Sequence, residues 1–146
     1  MRRPLRVVAL GMMGRMPWAG PAWACLNWLR SFQRLGHEVW YVEDDTAWPY
    51  DPERQTFTDD GRYAVRHVAR CLAEIGLADR WAVRLRQRAG ACWGLSSPAV
   101  DELYRTCDVL FNVEWSTSLR EEHLAAPLRV MLQSDPVAHE MLVASG

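Results

Sequence analysis

Arg6-Val7-Val8-Ala9-Leu10-Gly11-Met12-Met13-Gly14-Arg15 is the stretch whose reading decides the fold. Arg6 to Leu10 is a short apolar run rich in β-branched residues, which suits a strand buried on both faces. It passes into a loop holding Gly11, Gly14, Pro17 and Gly20, where the backbone can turn tightly and approach a ligand. Gly20-Pro21 then opens a helix, because proline is preset for the first turn and has no N–H to leave unpaired. Ala22, Cys25, Leu26, Leu29, Phe32 and Leu35 recur at helical spacing up to Gly36, the stop. A second strand, Val39 to Val42, follows and closes on the acidic run Glu43-Asp44-Asp45. Strand, loop, helix and strand in this order make the opening βαβ unit of a doubly wound sheet.

The chain has 146 residues, enough for one domain with a proper core, 1–146. Hydrophobic residues make up 49%, which places it among globular rather than disordered chains. The net charge of -1 supplies no global field to recruit nucleic acid or acidic lipid. All 17 basic residues are arginine, read as a compositional habit of the source genome. Cys25, Cys71, Cys92 and Cys107 are far apart and form no Cys-x-x-Cys pair, so buried thiols are expected and no metal site. Glycines interrupt the first apolar run before it is long enough for a signal or membrane segment, and a cytoplasmic location is expected, without a transmembrane segment.

Two prolines keep Thr46 to Pro52 out of a helix, leaving a surface loop that carries Trp48 and Tyr50. Asp59-Asp60-Gly61 starts a second helix with Val65, Val68, Ala69, Leu72 and Ile75 inward, ended by Gly76. Trp81, Val83 and Leu85 alternate with Ala82, Arg84 and Arg86, a period of two that predicts a small β-hairpin insertion over 80–95. Ser97-Pro98 caps a third helix with Val100, Leu103, Tyr104 and Cys107 inward. Asp108 to Val113 is the next buried strand and Leu128 to Leu132 another strand, with a short helix or turn, Leu119 to Ala126, between them and a last helix from Val137 to Ser145. The fold class is α/β: a doubly wound, mostly parallel sheet flanked by helices in three Rossmann-like layers. Gly11 to Gly20, Glu43 to Asp51, Glu114 to Ser118 and Gln133 to Asp135 then reach one rim, the geometry of a ligand crevice.

Gly11-x-x-Gly14-Arg15-x-Pro17-x-Ala19-Gly20, a long amphipathic helix, and Arg34-Leu35-Gly36-His37-Glu38-Val39 together resemble the amino-terminal half of GT-B glycosyltransferases. Tyr41-Val42-Glu43-Asp44, Trp48-Pro49-Tyr50-Asp51-Pro52, Gly94-Leu95-Ser96 and Ser134-Asp135-Pro136 are similar to a poorly described bacterial branch of that group. The resemblance implies an acceptor-side domain of an enzyme that moves a sugar from a nucleotide-sugar donor to a sugar, lipid or small-molecule acceptor. A carboxyl-terminal donor domain, in cis or in trans, would hold the nucleotide, so this domain is expected to bind no cofactor and to be inactive by itself. The last helix breaks off after about two turns, which reads as a fragment.

Sugar transfer needs a base for the acceptor hydroxyl, and the acids at the rim are the candidates: Asp44, Glu114 and Asp135. Gly11, Gly14, Arg15, Trp18, Gly20, Glu43, Asp45, Trp48, Trp115 and Ser116 are the candidate substrate-binding residues, through backbone N–H groups, a cation, carboxylates and aromatic faces. A dinucleotide-binding Rossmann domain is the rival reading, although Gly11-x-x-Gly14 lacks the Gly-x-Gly-x-x-Gly spacing. A plain binding module is the other.

Overall fold

The structure, a computed structural model, describes residues 3–134 and 136–145. Strand β1 (Arg6–Leu10) leads through helix α1 (Ala19–Arg34) to β2 (Glu38–Asp45). A small pair, β3 (Tyr50–Asp51) and β4 (Thr56–Phe57), precedes α2 (Arg62–Ala73), β5 (Trp81–Leu85) and β6 (Cys92–Gly94). Then come α3 (Ser97–Thr106), β7 (Val109–Val113), a 3-10 turn at Glu121–Ala125, β8 (Leu128–Leu132) and α4 (Pro136–Ala144). The six-stranded sheet runs β6-β5-β2-β1-β7-β8. All its pairings are parallel except β5 with β6. Its parallel strands therefore grow outward from β1, first to one side and then to the other, an order compatible with a Rossmann-like fold.

Alternation along β1 sorts the core. Val7 and Ala9 join Cys25 and Leu29 of α1 and Val68 and Leu72 of α2 in one apolar cluster. Val8 and Leu10 join Val42, Ala82 and, from α3, Val100 and Tyr104 in another. A strand that contributes to two clusters on opposite sides has no polar face to offer, which is why β1 reads as a continuous apolar run. β5 and β7 are likewise buried at every position.

The structure departs from several local expectations. Glu43, Asp44 and Asp45 lie inside β2 rather than after it, so their side chains alternate between the two faces of the sheet. The 80–95 stretch does form an antiparallel pair, β5 with β6, but β5 also pairs in parallel with β2, so the pair extends the main sheet and is not a separate insertion. The 46–52 loop contains β3, which the two prolines flank without preventing a two-residue pairing. Ser96, not Ser97, caps α3, its hydroxyl accepting from the Ala99 N–H at 3.4 Å. Leu35 lies past the last full turn of α1 and is exposed, although it continues the helical spacing.

The β5–β6 pairing depends on Gly94, the last residue of β6. Its φ is +78°, and a Cβ there would overlap the Trp81 carbonyl oxygen, a backbone atom that cannot move aside. Gly90 has φ +76° with open space around the same position. Gly94→Ala is therefore expected to cost about 3 kcal/mol and Gly90→Ala about 1 kcal/mol. Urea-denaturation midpoints of the two variants check this, and equal losses would disprove the close β5–β6 contact.

Candidate functional site

The rim is organised by what β2 does with its adjacent acids. Glu43 is buried, and its carboxylate accepts from the Gly14 N–H at 2.6 Å, the Arg15 N–H at 2.9 Å and the Tyr41 hydroxyl at 2.6 Å. The Tyr41 oxygen in turn accepts from the Met13 N–H at 3.0 Å. Burial pushes the Glu43 carboxyl up, against the pull of the Tyr41, Gly14 and Arg15 donors. Gly11 N–H donates to the Val42 carbonyl at 3.1 Å, Met16 N–H to Met12 at 2.7 Å and Trp18 N–H to Met16 at 2.8 Å. The donors with which a glycine loop would cradle a diphosphate are thus occupied by the protein's own carboxylate and carbonyls. Glycine is needed here for packing: a Cβ at Gly11 would overlap the Tyr41 ring, and one at Gly14 would meet Val68 at 2.7 Å.

Asp44 turns to the opposite face and is fully buried. Arg84 lies directly across from it in the β2–β5 register, with its guanidinium at 2.5 Å. Arg86 adds a bond at 2.5 Å, Arg120 an ion pair at 3.1 Å and the Tyr104 hydroxyl a bond at 3.0 Å. Burial alone would raise the Asp44 carboxyl, but the bonds from Arg86 and Arg84 and the charges of Arg84 and Arg120 hold it well below the usual carboxylate range. Asp44, Glu122 and His123 bring three ligand-type atoms within 4.8 Å of one another. A divalent cation would there face three guanidinium groups already sharing the Asp44 carboxylate, so the charge balance disfavours it. His123 is buried, and its Nδ1 accepts from the Arg120 N–H at 2.9 Å. Burial, then the charge of Arg120, lowers its pKa to about 4.

Open space lies elsewhere: a wide cavity, of about 700 Å³, is at Asp59, Asp60 and the β5–β6 turn, and another lies between β1 and β7, where the strand order reverses. A cavity of about 470 Å³ is lined there by Met12, Gly20, Pro21, Cys25, Glu114 and Ser134, among others. That volume falls within the range of about 300–1,000 Å³ for small-molecule sites. The Ala19 and Gly20 N–H groups, in the first turn of α1, have no acceptor among the described residues. Across the gap, Glu114 and Trp115 both adopt left-handed backbone conformations, with φ of 54° and 52°. Two consecutive non-glycine residues in that region store strain, a feature that concentrates at functional sites. They are held by the Glu114 N–H on the Leu132 carbonyl at 2.7 Å and by the Trp115 indole N–H on Gln133 at 2.7 Å. The Glu114 carboxylate accepts from the Ser134 N–H at 3.0 Å. Burial, with the charge of Glu43 next, pushes the Cys25 thiol up to about 12, so it faces the cavity as a neutral group.

The nominated residues thus divide. Gly20 and Glu114 line one cavity, while Gly11, Gly14, Glu43 and Asp44 build the frame behind it. Arg15 is committed to an ion pair with Asp45, and its carbonyl accepts from the Tyr50 N–H at 2.9 Å. Trp18 stands 5.6 Å from the Tyr50 ring, and it, Trp48 and Trp115 remain exposed. Ser116 is buried and donates to Asn112 at 3.0 Å, away from solvent. Asp135 lies outside the described residues. Sequence reasoning missed Tyr41, Tyr104, Arg120 and His123, which complete the two carboxylate clusters. Arg84 was not nominated either; the clue to its burial is the acidic end of β2, with which it pairs.

Comparison of the chain with protein-family models, curated proteins and solved structures finds no match.

Glu43→Gln is expected to lower stability by about 2 kcal/mol, since one oxygen facing backbone donors becomes an NH₂ group. Hydrogen exchange at the Gly14 and Arg15 amides should accelerate, and unchanged protection would refute the anchoring role. His123 gives a pH dependence. Its folded pKa is depressed to about 4 from 6.5, so the unfolded chain takes up the proton first as pH falls. Stability from this group is complete above pH 6.5 and falls as pH drops toward 4. The raised Glu43 carboxyl acts in the opposite direction, so the contribution is isolated by comparison with His123→Asn. Between pH 7 and 5 the wild type should lose about 1–2 kcal/mol more than that variant in urea titrations.

Proposed function

We propose that this chain is the acceptor-side, Rossmann-like half of a GT-B glycosyltransferase, and that the crevice between β1 and β7 receives a hydroxyl-bearing acceptor. The observation that carries the binding reading is the strained Glu114–Trp115 pair beside a cavity at the reversal of strand order. The transferase reading rests on the sequence resemblance, and the three-layer arrangement belongs to it. The lining suits a sugar or polyol better than a phosphate ester. It combines apolar Met12, Pro21 and Cys25 with one carboxylate, one hydroxyl and the helix N–H groups, and it contains no cation. Arginine would be the expected partner of a phosphate. Glu114 retains lone pairs beyond its bonds to Ser134, so it can accept from an acceptor hydroxyl and is the candidate base.

The nucleotide-sugar donor would sit on a second domain, in cis or in trans, and the chain would work in the cytoplasm. Among the described residues no helix is long and apolar enough to cross a membrane. A dinucleotide is the weaker ligand candidate, because Glu43 already fills the nest that its diphosphate would need.

Tryptophan-fluorescence titration with hexoses, polyols and lipid-linked monosaccharides tests the reading against nicotinamide and flavin dinucleotides. Saturable quenching by a hydroxyl-rich ligand is expected, weakened at least about tenfold in Glu114→Ala, the scale of one lost charge-assisted hydrogen bond. Saturable dinucleotide binding, or a sugar affinity indifferent to Glu114, would overturn it.

A further inference from the structure

The net charge of -1 hides an uneven distribution. α1 and α2, which pack on the same face of the sheet, carry Arg30, Arg34, Arg62, Arg66 and Arg70 and not one Asp or Glu. On the opposite face, α3 and the 3-10 turn beside it carry Asp101, Glu102, Glu121 and Glu122 against Arg105 alone. Arg62 is paired with Asp60 and Arg66 with Glu53. Arg30, Arg34 and Arg70 are exposed and have no ion pair among the described residues.

Helical spacing gathers these groups. Trp23, Asn27, Arg30 and Arg34 recur every three or four residues and are all exposed, so they form one outward stripe of α1. Trp23 is 65% exposed, a large apolar ring left in water. Beside it, between α1 and α2, runs a groove of about 460 Å³ whose apolar walls are the half-buried Leu26, Cys71 and Ile75. Arg30 and Arg70 also line it, and Glu74 is the one acid in its lining. A small polar anion would meet the two arginines but leave Trp23 and the apolar walls uncovered. A bilayer surface satisfies all three. Guanidinium groups on long apolar stems reach lipid phosphates, an indole settles at headgroup depth, and acyl carbons meet the apolar walls. The acids across the sheet do not cancel the attraction, because the Debye length at physiological salt is only about 8 Å.

We propose that the α1–α2 face is a docking surface for an anionic lipid bilayer, with Arg30, Arg34 and Arg70 on the headgroup phosphates and Trp23 at headgroup depth. In this arrangement the chain lies on the bilayer and does not span it. The docking is independent of what the crevice binds, so lipids that carry no sugar suffice to test it.

Co-sedimentation with sucrose-loaded vesicles provides the experiment, comparing pure phosphatidylcholine with an equal mixture of phosphatidylcholine and phosphatidylglycerol. The wild-type chain is expected to bind the mixed vesicles, and to leave them as salt is raised. Arg30→Gln combined with Arg70→Gln should weaken binding about 25-fold, at about fivefold per arginine near an anionic surface. Trp23→Ala should weaken it too, with the salt dependence unchanged. Arg105→Gln, on the opposite face, should bind like the wild type. All four positions are exposed, and circular dichroism checks that the variants fold. Should the double variant fail to fold, each single arginine substitution carries its own fivefold step. Equal binding to the two kinds of vesicle would overturn the proposal, and so would an arginine variant that binds undiminished or an equal loss in Arg105→Gln. Absence of binding to either vesicle would overturn it as well, leaving this face to an acidic protein partner.

Discussion

A buried carboxylate bonded to a glycine loop is the contact on which the rest of the molecule depends. Glu43 reaches from β2 to the Gly14 and Arg15 N–H groups and, through Tyr41, to Met13. The loop is thereby pulled against the sheet so closely that Gly11 touches the Tyr41 ring and Gly14 lies against Val68 of α2. A charge taken out of water is tolerated only when its lone pairs are filled, and here backbone donors fill them. That carboxylate takes the position an external anion would need, so the N–H groups of Met13, Gly14 and Arg15 are satisfied within the chain, and a cavity lies between β1 and β7 instead.

The next residue solves the same problem differently. Strand alternation sends Asp44 to the opposite face, where no loop offers backbone N–H groups, and Arg84, Arg86 and Arg120 supply the donors instead. Such a cluster specifies register more than it stabilises: its mutual attraction offsets a large desolvation cost, while removing one member would strand the others. Since Arg84 comes from β5 and Arg120 from the segment after β7, the cluster ties both wings of the sheet to β2. Together the two acids hold the carboxyl-terminal edge rigid on both faces, which is what a site built from its loops requires.

Against that rigid frame, the crevice between β1 and β7 is the part left unsatisfied. It has two N–H groups at the start of α1 without an acceptor among the described residues, a strained Glu114–Trp115 pair and an apolar floor. Strain of this kind persists only where surrounding bonds over-determine it, and here Leu132, Gln133 and Ser134 do so. β8 and the residues just after it therefore brace the crevice through their backbone groups and Gln133.

The sequence by itself determined the α/β class, the opening βαβ unit and most element positions, because apolar periodicity and Gly/Pro punctuation are local properties of the chain. It also placed Gly20 and Glu114 near one rim of the sheet, where the structure has them line the same cavity, since both lie where an element begins or ends. Only the tertiary structure decided that Glu43 and Asp44 face inward, that Arg84 is buried opposite Asp44, and that Tyr41 and His123 complete their surroundings. Those outcomes depend on which strand lies beside which and in what register. A pair such as Asp44 and Arg84, 40 residues apart, carries no signal of its pairing until the sheet is assembled. Charge in a sequence reads as surface, and only the neighbours brought by the fold can make it core.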